Sequence, residues 1–83
     1  MAELSSMRNI GAELEKKLKS IGISSPDELM QAGSKEAFLR LKLRHSNVCL
    51  VHLYALEGAI TDREYNQLPE DVKGELKRFS DGL

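Results

Sequence analysis

The residues able to do chemistry are few. Cys49 is the single cysteine, and the two histidines are His45 and His52. Cys49 and His52 stand three apart, which makes them neighbours if both lie on one helix. A thiol beside an imidazole is the minimum for a nucleophile, but a free cysteine is among the most buried residue types. The expectation is therefore a structural, buried Cys49 beside a partly exposed His52. His45, Cys49 and His52 would make a thin metal set. No further cysteine and no adjacent carboxylate complete it, so no metal and no cofactor are expected. The chain has no phosphate-binding glycine loop, no HExxH and no serine elbow. Its carboxylates Glu13, Glu15, Asp27, Glu28, Asp62, Glu64, Glu70 and Asp71 fall mostly in first turns of expected helices. Dipole and capping chemistry accounts for them there. Enzymatic function is not expected.

Two patterns point instead to binding. Arg8-Asn9-Ile10-Gly11-Ala12 forms a tight turn ahead of a helix. Free backbone N–H groups at such a junction can face an anion, with Lys16 and Lys17 a turn further on. This resembles a helix-hairpin-helix module, which grips nucleic-acid backbone without reading sequence. Asn9 stands where that module usually has glycine, and it tolerates the left-handed backbone such a turn needs. Glu13 and Glu15 compete with a phosphate for the same helix end. The second pattern is Lys35, Arg40, Lys42 and Arg44, four cations against the single acid Glu36. They form a secondary basic face or simply a solvated one.

The elements that position these residues read as short helices. Gly11, Gly22, Gly33 and Gly82 and both prolines punctuate the chain, and no segment alternates like a half-buried strand. Leu14, Leu18 and Ile21 stripe one helix, closed by Gly22 with Ile23 folding back. Ser25-Pro26-Asp27-Glu28 opens the next as a capping box, with Leu29 and Met30 inward. Ser34 caps a third, with Ala37, Phe38 and Leu41 on its stripe, widened by Leu39 and Leu43. A fourth, from about Val48 to Ile60, is apolar nearly all round and therefore central, with Gly58 admitting a close neighbour. Thr61-Asp62-Arg63-Glu64 reads as another capping box, before a turn with Tyr65 and Leu68 inward. Pro69 opens the last helix, with Val72, Leu76 and Phe79 inward, and residues 80–83 fray.

With 83 residues, 12 Lys and Arg, 13 Asp and Glu and 5% aromatics, the chain suits one domain, its core spanning about residues 4–79. A net charge of -1 excludes a uniformly basic protein, and the scarcity of aromatics argues against base-stacking platforms. Its longest wholly apolar run, Val48–Val51, is far short of the roughly 20 residues that span a membrane. No signal-peptide core is visible, and a lone cysteine fits a reducing cytoplasm.

Arg8-Asn9-Ile10-Gly11, Leu18-x-x-x-Gly22-Ile23, Leu29-x-x-x-Gly33-Ser34, Tyr54-Ala55-Leu56-Glu57-Gly58-Ala59 and Leu68-Pro69 together resemble the C-terminal domain of the TfoX/Sxy competence-regulator family. The resemblance implies an all-α bundle of about five to six short helices with a helix-hairpin-helix-like N-terminal half. Its bacterial members regulate DNA uptake, are thought to act with a cyclic-AMP receptor protein, and carry a further N-terminal domain. The chain starts only a few residues before the region of resemblance, as a free-standing copy or part of a longer protein would. The function expected is a non-enzymatic accessory domain in transcription or competence regulation that contacts DNA backbone. The alternative is a protein-interaction module of the same fold. Expected partners are DNA, a transcription factor, a separate TfoX N-terminal domain protein or a second copy of the chain.

Overall fold

In the computed structural model, residues 3–83 are described. They form five α-helices and two 3₁₀ turns. A 3₁₀ turn at Leu4–Ser6 leads to α1 (Ala12–Ser20), α2 (Pro26–Ala32), α3 (Ser34–Arg44) and α4 (Leu50–Thr61). A second 3₁₀ turn at Tyr65–Gln67 then precedes α5 (Glu70–Asp81). The all-helical expectation holds, with the core where the stripes place it. Leu4, Leu18, Leu29, Phe38, Leu41, Leu53 and Leu56 are completely buried. Each such side chain contributes roughly 1.5–3 kcal/mol by leaving water.

Local chemistry explains the element ends. Gly22 takes φ +89° and the Ile23 N–H donates to the Leu18 carbonyl at 3.0 Å, so Ile23 folds back on α1 and is buried. That is the left-handed glycine stop with its hydrophobic contact. At the start of α2, the Glu28 N–H donates to Ser25 Oγ at 3.2 Å. Glu28 Oε1 in return accepts from the N–H and hydroxyl of Ser24 at 2.9 and 2.7 Å. The box closes one residue earlier than Ser25, and these bonds hold the Glu28 carboxyl below its ordinary pKa.

α4 is the central helix. Leu53, Ala55, Leu56, Gly58 and Ala59 are buried, and it packs against α3, the second 3₁₀ turn and α5. A Cβ on Gly58 would collide with the Arg63 carbonyl oxygen and the Asn9 side-chain nitrogen. Glycine here is a close-approach residue, as the sequence suggests.

Several expectations need correction. Cys49 is exposed, not buried: it precedes the first turn of α4, which begins at Leu50, and its own N–H donates to His52 Nδ1 at 3.1 Å. Ser34 does not cap α3. Its hydroxyl crosses to Glu57 at 2.6 Å, which satisfies a side chain buried beneath α4. Thr61 opens no capping box, because it is the last residue of α4, its hydroxyl donating back to the Glu57 carbonyl. Asp62, in left-handed backbone at φ 58°, ends that helix. Met30, Leu43, Val51 and Tyr65 are exposed rather than inward, Leu43 at 82%. Pro69 precedes α5 rather than opening it, and Ser80 and Asp81 belong to α5 rather than to a frayed tail.

Candidate nucleic-acid interface

The hairpin is built as the sequence suggests, but its side chains are committed to the fold. Asn9 takes φ 72°, the left-handed conformation, and Ile10 is buried. Asn9 Nδ2 donates to the Arg63 carbonyl at 2.8 Å and to the Ala55 carbonyl at 3.4 Å, while its Oδ1 accepts from the Tyr65 N–H at 3.3 Å. One amide thus fastens the hairpin to the end of α4 and the loop beyond it. Arg8 reinforces that fastening. Its Nε lies 3.2 Å from Asp62 and its Nη1 3.0 Å from Glu64. Hydrogen bonding to Glu64 and then Asp62 raises the Arg8 pKa above its ordinary value. Its charge is met within the protein.

Gly11 lies in extended backbone (φ -92°, ψ -175°) immediately before α1, and among the described residues no side chain caps that helix. Gly11 and Ala12 are exposed. Glu15 is turned away from the helix end and accepts from the Ser5 N–H at 3.0 Å. Glu13 remains exposed at the edge of a groove of about 340 Å³ between the start of α1 and the first half of α4. Leu14, Val51, Ala55 and Tyr65 supply its apolar wall, and Lys17 and His52 its polar edge. Burial lowers the His52 pKa and the charge of Lys17 lowers it further. Accepting the Cys49 N–H leaves its proton on Nε2.

The other predicted cations divide. Lys35 pairs with Glu75 on α5 and lies over the Phe79 ring, and Arg40 pairs with Glu36 one turn back. Lys42 lies 5.9 Å from the Phe38 ring centre. Lys42, Arg44, Lys16 and Lys17 form no ion pair among the described residues, and neither does Lys19, which the motif reading passed over. A further contact went unseen in the sequence. Ser20 Oγ lies 3.0 Å from His45 Nε2 and donates its own proton to the Lys17 carbonyl at 2.6 Å. His45 Nε2–H is therefore the donor, tying the ends of α1 and α3 together. A sequence signal for this end exists: residues 16–26 and 37–56 contain no Asp or Glu.

Among the described residues, no helix is long and apolar enough to cross a membrane. Among curated proteins, none matches this chain. Two solved structures of Listeria monocytogenes proteins do. One, of an uncharacterized protein in a triclinic form, is 48% identical with a TM-score of 0.95, covering 98% of this chain and 92% of that one. The other, of a protein of unknown function in a tetragonal form, is 48% identical with a TM-score of 0.92, covering 95% of this chain and 98% of that one. The family model of the TfoX C-terminal domain matches residues 1–80. With the turn at Asn9, the stop at Gly22 and the Tyr54–Ala59 core helix in place, the chain belongs to the TfoX C-terminal domain family.

Proposed function

We propose that this chain is a non-enzymatic accessory domain in transcription or competence regulation that holds nucleic-acid backbone without reading base sequence. The observation that carries this reading is the sorting of its cations. On a chain of net charge -1, Arg8, Lys35, Arg40 and Lys77 are paired with carboxylates, whereas the other eight cations pair with none among the described residues. Three of those, Arg63, Lys73 and Arg78, stand among the acids of the C-terminal region, and the charge of Arg78 acts on Glu75, which leaves Lys16, Lys17, Lys19, Lys42 and Arg44 in acid-poor stretches of chain. Unpaired lysines and arginines are what a polyanion exchanges for its counterions. With aromatics at 5% of the chain and Phe38 wholly buried, stacking on bases contributes little. Fluorescence anisotropy of a labelled mixed-sequence duplex across a salt series tests the reading. Weak binding that falls steeply with salt and is indifferent to sequence supports it. A folded protein with no affinity at low salt refutes it.

A second reading, a protein-docking module, is favoured by one observation. Val51 and Tyr65 are 46% and 43% exposed and flank the same groove beside the hairpin. On that reading a Val51→Asp variant loses its partner but keeps its fold.

A further inference from the structure

The hydrogen bond from His45 to Ser20 joins the ends of two helices whose last turns are basic, Lys17 and Lys19 on α1 and Lys42 and Arg44 on α3. Helical spacing places Lys16 and Lys17 on the side of α1 that carries Ser20. The chain leaves α3 through His45, whose carbonyl accepts from the Val48 N–H, and starts α4 at Leu50. The positive end of the α4 dipole therefore lies on the same side of the molecule. Neither segment that builds this end, residues 16–26 or 37–56, contains a carboxylate side chain, although acids border it at Glu13, on the groove with Lys17, and at Glu28, in a hollow with Gly22, Ile23 and Arg40. Lys16, Lys19, Lys42 and Arg44 are all exposed.

Two predicted patches are thereby cut and rejoined. From the hairpin set, Arg8 and Asn9 go to the fold and Lys16 and Lys17 remain. From the set on α3, Lys35 and Arg40 go to ion pairs and Lys42 and Arg44 remain.

We infer that the joined ends of α1 and α3 form a phosphate-binding face for double-stranded nucleic acid, with Lys16, Lys19, Lys42 and Arg44 as its contacts, and that the hairpin is a lock rather than the clamp. This rests on the nucleic-acid reading above and places its surface. Duplex is favoured over single strand because this end offers charge without an exposed aromatic ring. Tyr65, the exposed aromatic, borders the hairpin groove instead. Duplex also carries the denser phosphate charge. Phosphate contacts of this kind leave base edges unread.

The test is anisotropy with a mixed-sequence duplex and its separated strands at about 50 mM salt and above. Two charge-matched variants are compared: Lys19→Gln/Arg44→Gln at the joined ends, and Lys35→Gln/Lys77→Gln at cations already paired. Thermal melts confirm that both fold. The expected result is duplex binding that weakens about tenfold or more in the first variant and less than about threefold in the second. Each charge removed from the face should lower the salt slope by about one. The duplex should also outbind either single strand. Equal loss in both variants, or a larger loss in Arg8→Gln than in Lys19→Gln/Arg44→Gln, would overturn the placement and leave the function standing. Tighter binding of a single strand would overturn the choice of duplex. If the wild type binds no duplex, both the placement and the function fall.

Discussion

At its first turn, α1 meets the hairpin. Arg8 answers Asp62 and Glu64, Glu15 answers the Ser5 N–H, and the Asn9 amide spends both its ends on main-chain groups of the loop after α4. At its last turn, α1 meets the end of α3. Among the described residues, the side-chain bond between the two helices there joins Ser20 to His45, while the lysines and the arginine around it pair with nothing. The first region resembles a binding motif in sequence and serves as a fastening in structure. The second has no motif, only two stretches of chain without an acid, residues 16–26 and 37–56. Charge satisfied inside the protein contributes to its shape, and charge left over is what a partner can meet.

The comparison can be broken first at the fastening. Gly58→Ala drives a methyl group into Asn9 and the Arg63 carbonyl, and Asn9→Ala removes three hydrogen bonds from a left-handed residue. Each should cost about 2–4 kcal/mol in urea unfolding. The molecules still folded should bind duplex as the wild type does. Duplex affinity that falls in step with the hairpin, in protein shown to be folded, would restore the hairpin as the clamp.

Ser34→Ala comes next, through loss of the bond to Glu57 beneath α4. A drop of about 1 kcal/mol is expected. It should leave both ends of α1 and duplex affinity untouched, which makes it the control for destabilisation alone.

His52 gives a pH dependence. Burial and Lys17 hold its folded pKa below the ordinary value of 6.5, so the unfolded chain binds the proton more readily. The contribution is full above that ordinary value and is lost as pH falls through the lower folded value. Protonation of Nδ1 also removes the acceptor for the Cys49 N–H. The wild type should therefore lose more stability than His52→Gln between neutral pH and about pH 5. Parallel curves would show that the ring titrates as it does in the unfolded chain.

The smallest effect is expected at Gly11. Its backbone is extended and a Cβ there meets none of the described residues within 4 Å, so Gly11→Ala should shift stability by no more than about 0.5 kcal/mol. A phosphate seated against this backbone would be crowded by the new methyl group. Unchanged duplex affinity in Gly11→Ala thus separates a fastening from a clamp.

What could be read in the sequence was local. The stop at Gly22 and Ile23, the Ser25 cap and the all-round apolar surface of α4 need only neighbours within a turn or two, and the structure has them. Asn9 in left-handed backbone was legible for the same reason. Its partners at Ala55, Arg63 and Tyr65, and the pairing of Lys35 with Glu75, link residues 40 to 56 apart, which no periodicity reveals. Thr61 matched a capping pattern, but the helix before it ran on to include it and handed the stop to Asp62. Read from the burial habit of its residue type, Cys49 belongs inside, yet the helix starts at Leu50, two residues beyond the expected Val48, and leaves it outside. Of the candidate site, the lysines were legible singly. Their gathering was not, because it depends on Ser20 meeting His45 across 25 residues.

The most direct test of where a partner meets this domain is a two-dimensional NMR titration of the labelled protein with an unlabelled duplex at low salt. A phosphate-binding face at the joined ends of α1 and α3 predicts that shifts concentrate at residues 16–20 and 42–49, with residues 8–12 and 62–65 nearly still. Shifts concentrated at Asn9–Ala12 and Asp62–Tyr65 instead would contradict it.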